Sequence, residues 1–194
     1  MNVVAVVLAA GEARRFGSPK QVARLEGQAL VRIAAQTALC AGLVTHVVTG
    51  AHARLVSECL NGLAVSTSHN ANWVDGLGAS IAHGVSALAD PLPQGVLLML
   101  ADQPGVGLGA LKRLLAAFAR QPDRIIASDA GAFVGSPCVF PASLFGALRG
   151  LRGDQGARSV LRANQERIVT VAMPEAAGDV DTPADLARWK RPLT

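Results

Sequence analysis

Two rhythms of hydrophobic positions alternate along the chain. Val3–Ala9 is a continuous apolar run, rich in β-branched residues and without alternation, which predicts a strand buried on both faces. Residues 28–41 then space their apolar side chains as a helix does, and Gly42 ends the pattern. The same exchange continues. Strands are predicted at 45–49 and 63–66 and, most hydrophobic of all, at Gly95–Leu100 (GVLLML). Helices are predicted at 53–60, at 77–89, where Asp90-Pro91 stops the run, and at 108–120. Beyond these, 124–127 and 132–140 read as strands, 142–148 and 156–163 as helices, and 168–172 as a last strand. A final helix is predicted at Pro183–Trp189, with Thr182 as its N-cap and Pro183 in its first position.

Strands that alternate with helices imply βαβ units and a mostly parallel sheet. No repeat, low-complexity segment or linker divides the 194 residues. The expectation is one α/β domain over residues 1–194, a Rossmann-like three-layer sandwich around a central sheet. In such sheets ligands bind at the carboxyl ends of the strands. Two loops at those ends stand out, one after Ala9 and one after Leu100.

Composition narrows the partners. With 51% hydrophobic and 16% charged residues, disorder is not expected. No apolar run reaches the roughly 18 residues of a membrane span, and the apolar start lacks a basic leader segment, so a cytoplasmic protein without a membrane role is expected. Net charge is +4, Tyr is absent and aromatics make up 4%, a poor match to a nucleic-acid reader and a better one to small anionic ligands. Cys40, Cys59 and Cys138 have no metal or disulfide spacing and read as small buried hydrophobes. His46, His52, His69 and His83 show no ligand spacing to one another.

The first loop reads LAAGEARRFGSPK, Leu8 to Lys20. Five residues separate Gly11 from Gly17 and the lysine comes three later, so this is not a P-loop, and G-x-G-x-x-G is absent. Its chemistry still suits phosphate. Small residues at Ala9, Ala10 and Gly11 let backbone N–H groups approach a ligand, and Arg15 and Lys20 add fixed positive charge. Spacing alone leaves an ordinary loop with solvated basic side chains equally open. Asp102, after the strongest strand, and Asp181, before the last helix, are candidates for a hard cation or for capping. Asp179 shares the face of Asp181 if that stretch is extended.

The loop resembles the signature of sugar-nucleotide-transferase-like nucleotidyltransferases, L-A-A/G-G-x-x-x-R-M-G-x-x-K. NANWVDGLGASI, MLADQPG, GSPCVFP, GDQGAR and DVDTPADL follow in the order of motifs of the molybdenum cofactor cytidylyltransferases. The resemblance implies that Leu8, Ala9, Ala10 and Gly11 contact a nucleotide through backbone, and that Arg15 and Lys20 neutralise its phosphates. It implies that Asp102 and Asp181 hold Mg²⁺, with Asp179 behind them, and that Arg15, Lys20 and Asp102 carry catalysis. Gly78 and Ser80 would lie near base and ribose. Ser136, where the family usually has His, with Pro137 and Arg158, would meet the acceptor. Relatives that use GTP tend to have Gly where Ala10 stands. A methyl there crowds the base, which implies CTP as the nucleotide. The implied activity is transfer of a cytidylyl group to a molybdopterin-type acceptor, with a client molybdoenzyme or its chaperone as a further partner. A different nucleotidyltransferase acting on a sugar phosphate or guanylyl acceptor, and a pterin carrier or oxidoreductase on the same fold, stay open.

Overall fold

A computed structural model describes residues 2–189 of the chain. Seven strands form one sheet in the order β5-β4-β1-β6-β8-β7-β9. They are β1 (Val3–Ala9), β4 (Val44–Thr49), β5 (Val65–His69), β6 (Gly95–Leu100), β7 (Ile125–Asp129), β8 (Val134–Pro141) and β9 (Ile168–Ala172). Every pairing is parallel except those of β8, which runs antiparallel to both β6 and β7. A separate two-residue hairpin, β2 (Arg24–Leu25) and β3 (Gln28–Ala29), stands apart from the sheet.

The alternation within β1 builds the layers. Val3, Ala5, Val7 and Ala9 point into one core with α1 (Leu30–Cys40), α2 (Ala53–Leu60) and α4 (Leu108–Arg120). Val6 and Leu8 point into the other, with α3 (Leu77–Ser86), α5 (Phe145–Arg149) and α6 (Arg158–Ala163). A strand buried on both faces has no use for a polar side, which is why the sequence shows an unbroken apolar run there. The interior of β6 is buried for the same reason, with Val96 and Leu97 fully inaccessible.

A third, smaller core joins two segments distant in sequence. Phe16, from the loop after β1, packs with Leu30, Val180 and Leu186, the last from α7 (Pro183–Trp189). This apolar contact pins the cationic loop to the C-terminal segment that carries Asp181. Thr182 caps α7: its Oγ1 accepts from the Asp185 N–H at 3.2 Å, and Asp185 accepts in return from the Thr182 N–H at 2.8 Å. This is a capping box.

Several boundaries differ from the sequence reading. The predicted 28–41 helix begins only at Leu30, because Gln28 and Ala29 pair with Leu25 and Arg24. The 63–66 strand lies at Val65–His69, since Leu63 still belongs to the turn closed by its N–H to the Leu60 carbonyl. The 77–89 helix ends at Ser86. The 156–163 helix starts at Arg158, because Gly156 has φ +55° and Gly153 +68°, positions outside the helical region.

Candidate active site

β1 lies between β4 and β6, and the chain moves in opposite directions along the sheet on its two sides. That reversal opens a crevice at the carboxyl ends of the strands. Leu8 pairs with Leu100 and Ala9 with Thr49, so the loops after β1, β4 and β6 begin level with one another. A cavity of about 490 Å³ sits there. Its lining includes Leu8 and Ala10–Arg15, Lys20 and Gln21, Leu100–Asp102, and Asp181. Trp73, Val74, Gly76, Leu77, Ser80 and Asp154 complete it.

The charged residues converge. The Lys20 ammonium donates to Asp102 Oδ2 at 2.7 Å and to Asp181 Oδ1 at 2.9 Å. The other oxygen of Asp181 meets Arg15 Nη2 at 3.0 Å. Lys20 is 13% exposed, whereas Arg15 is 76% exposed and reaches the cluster from solvent. Burial alone would lower the Lys20 pKa, but attraction and hydrogen bonding from Asp102 and Asp181 outweigh it and hold it above the ordinary value. Lys20 is therefore a fixed cation.

Asp179 lies behind this pair. Burial pushes its pKa up, the Gln103 hydrogen bond opposes that, and the charges of Asp102 and Asp181 push further up. Gln103 is almost fully buried; its Nε2 donates to Asp179 Oδ1 at 2.9 Å and to the Ala176 carbonyl at 3.2 Å. The Val180 N–H donates to the Asp102 carbonyl at 2.9 Å. These bonds tie the loop after β6 to the segment before α7, and so bring two aspartates 79 positions apart within reach of one ammonium.

The pair suits a small hard cation. One oxygen each of Asp102 and Asp181 converges on the Lys20 ammonium, and Asp102 Oδ1 is buried without a hydrogen-bond partner among the described residues. Among the described residues no group of three or more His, Cys, Asp or Glu side chains is disposed to hold a metal. Two carboxylates completed by ligand oxygens and water match Mg²⁺, which seldom takes an all-protein cage.

Not every residue singled out from sequence reaches the cavity. Leu8, Ala10, Gly11, Arg15, Lys20, Ser80, Asp102 and Asp181 line it; Ala9 faces the core beneath. Ser80 is buried and its Oγ accepts from Asn70 Nδ2 at 3.1 Å. Gly78 packs on the loop after α5, its N–H donating to the Gly153 carbonyl at 2.8 Å. Ser136, whose carbonyl faces Gln103 Nε2 at 3.4 Å, stands with Pro137 outside the lining, as does exposed Arg158 at the start of α6. The structure adds two glutamines. Gln21 Nε2 donates to the Gly11 carbonyl at 2.6 Å and braces the loop from below. Gln21 follows Lys20 directly and Gln103 follows Asp102 directly, so adjacency to each charged residue was the signal that could have found them.

A three-layer α/β fold with a cationic loop and paired aspartates at its switch point is suited to a phosphorylated ligand. Residues 5–168 match the MobA-like NTP transferase domain, and the chain belongs to that family. It is 29% identical to the purine catabolism protein PucB of Bacillus subtilis strain 168, over 99% of this chain and 98% of that one. Among solved structures, Rv0371c of Mycobacterium tuberculosis H37Rv superposes with a TM-score of 0.81 at 27% identity, covering 98% of both chains. A nucleotidyl transferase from Methanothermobacter thermautotroptrophicus does so with 0.81 at 25% identity, over 97% of this chain and 96% of that one. A manganese complex of Rv0371c is similar too, with a TM-score of 0.80 at 25% identity, over 97% of this chain and 98% of that one. The protein is a MobA-like nucleotidyltransferase. None of its described helices is long and apolar enough to cross a membrane.

Proposed function

We propose that the chain works as a single nucleotidyltransferase domain that transfers CMP from CTP to the terminal phosphate of a molybdopterin-type acceptor. The observation that carries this reading is the convergence of Lys20, Asp102 and Asp181 at the mouth of β1 and β6, with Arg15 on the outer oxygen of Asp181. The Leu8-Ala9-Ala10-Gly11 stretch supports CTP. Ala10 and Trp73 line the same cavity, and the methyl of Ala10 takes space that a glycine there would leave open. Less space favours a pyrimidine over a purine.

The acceptor's phosphate oxygen attacks the α-phosphorus, a new P–O bond forms, and the bond to the pyrophosphate leaving group breaks. An acceptor phosphate carries its charge at neutral pH, so no side chain needs to take a proton. The chain's task is positioning and charge neutralisation. Lys20 and Arg15 release their aspartates and bind the triphosphate, exchanging one set of oxyanions for another. Backbone N–H groups of Ala10 and Gly11 approach the phosphates. Asp102 and Asp181 would hold Mg²⁺, which supplies charge neutralisation to the triphosphate when bound; the manganese complex of Rv0371c supports a divalent ion at such a fold. Gln103 and Asp179 keep the two carboxylates in register. PucB is a purine catabolism protein, and by that likeness we place the work of this chain in purine breakdown.

The test is to supply each of the four ribonucleoside triphosphates with Mg²⁺ and molybdopterin and to measure pyrophosphate. Release with CTP that depends on the acceptor is expected. Release only with GTP, or only with a sugar phosphate as acceptor, would replace the substrate assignment.

A further inference from the structure

Of the two cavity carboxylates that the reaction above does not use, Glu12 is paired with Arg14, and Asp154 is the other. It comes from the loop between α5 and α6, and it lines the cavity beside Gly76, Leu77 and Trp73. The loop is seated on the first turn of α3 by backbone-to-backbone contact. The Gly78 N–H donates to the Gly153 carbonyl at 2.8 Å, and a side chain at position 78 would meet the Arg152 carbonyl at 2.7 Å. Gly76 has φ +94°, and a side chain there would run into the Asp154 carboxylate and the Gly153 carbonyl. A side chain at Gly156 would strike Leu77 at 2.8 Å. Three glycines thus leave room for one close fit, and that fit delivers the Asp154 carboxylate to the cavity wall.

The cations of the cavity are engaged elsewhere: Lys20 with Asp102 and Asp181, Arg15 with Asp181, and Arg14 with Glu12. Asp154 has no ion pair or side-chain hydrogen bond among the described residues. An ionised carboxylate repels phosphates and accepts hydrogen bonds from neutral donors. Its neighbours are apolar, with Val74 68% and Leu77 37% exposed at the same wall. A wall of exposed apolar side chains around one acceptor suits the uncharged nucleoside end of a nucleotide. The donors of that end that fit a two-oxygen acceptor are the vicinal hydroxyls of ribose, which carboxylates bind in other nucleotide sites.

We infer that Asp154 is a specificity-determining residue that accepts hydrogen bonds from the ribose hydroxyls and selects ribonucleotides over deoxyribonucleotides. This rests on the nucleotidyltransferase reading. The test is equilibrium binding of CTP, 2′-deoxy-CTP and 3′-deoxy-CTP, each with Mg²⁺, to the wild-type protein and to Asp154→Ala and Asp154→Asn. A hydrogen bond to a charged group corresponds to roughly 10- to 100-fold in affinity. The wild type should prefer CTP over at least one deoxy analogue by about that factor. Asp154→Ala should lose the preference by weakening CTP alone, and Asp154→Asn, which keeps one acceptor oxygen, should fall between. Equal binding of CTP and both analogues by the wild type, or a preference that survives Asp154→Ala, overturns the inference and leaves the transferase reading standing. A changed CTP-to-UTP ratio, or a raised acceptor KM, with the ribose preference intact also overturns it, assigning Asp154 to the base or the acceptor. Failure of the wild type to bind any ribonucleoside triphosphate overturns both readings together.

Discussion

Lys20→Met keeps most of the aliphatic stem and removes the ammonium that two aspartates share. In the wild type that ammonium lies 2.7 Å from Asp102 and 2.9 Å from Asp181 and is 13% exposed. At an effective dielectric near 20, each contact amounts to roughly 6 kcal/mol of gross attraction, most of it offset by desolvation. Removing one partner of a fully buried pair costs about 3–5 kcal/mol. Here the carboxylates are 22% and 34% exposed, so water screens part of the loss, and about 2–3 kcal/mol is expected. For a chain of this size that corresponds to a drop of roughly 5–10 °C in Tm. Two carboxylates left facing each other should bind a divalent cation more readily, so Mg²⁺ should stabilise the variant more than the wild type. Turnover should fall about 30- to 1000-fold, the loss of roughly 2–4 kcal/mol of transition-state stabilisation. Thermal unfolding with and without Mg²⁺, beside pyrophosphate release, reads all three effects. A folded variant with wild-type turnover would refute the phosphate role. An unchanged Tm with no added response to Mg²⁺ would refute the account of the resting site.

Asp102→Asn and Asp181→Asn should each abolish most metal-dependent turnover, and the double variant should lose little more, because the two carboxylates serve one cation; losses that multiply in pyrophosphate release would argue for separate roles. Gly78→Ala should destabilise the fold by about 1–3 kcal/mol in urea unfolding and weaken nucleotide binding, since its side chain would meet two backbone carbonyls at 2.7 and 2.8 Å; a neutral outcome would mean the loop after α5 shifts freely. His46 is held below its ordinary pKa of 6.5, first by burial and then by the charge of His83, while its ring nitrogens meet Ser66 and Ser68 at 2.8 Å. The folded state disfavours the charged ring, so this contribution is complete above pH 6.5 and is lost as pH falls through that value towards the folded pKa. His46→Gln should flatten that part of the stability-against-pH curve, and an unchanged slope would place the titration elsewhere.

The parts of the fold visible in the sequence are those governed by local periodicity. β1 and β6 were legible because burial on both faces leaves an unbroken apolar run, and α4 because its amphipathic spacing persists for three turns. The polar edge strand β5, Val65–His69, was harder to place, since only one side of it is covered and its Ser-Thr-Ser stretch shows no strong apolar signal. The β2–β3 hairpin, with two residues a side, is too short for any period to register. In the site, Arg15, Lys20, Asp102 and Asp181 could be singled out as charges next to strand or helix ends, but their convergence depends on Phe16 meeting Val180 and on Gln103 meeting Asp179. Those contacts join distant segments and leave no local trace. The place of Asp154 at the cavity wall was not legible, because the three glycines that seat its loop lie on both sides of that contact.

The central claim is that this site moves a nucleotidyl group, and the fate of the label in CTP tests it most directly. Parallel reactions with Mg²⁺, molybdopterin and CTP labelled at the α- or the γ-phosphorus separate the alternatives. The account predicts that α-label enters the acceptor product and γ-label leaves as pyrophosphate, both depending on Lys20 and Asp102. Transfer of the γ-label to the acceptor, or release of α-label only as free CMP, would contradict it.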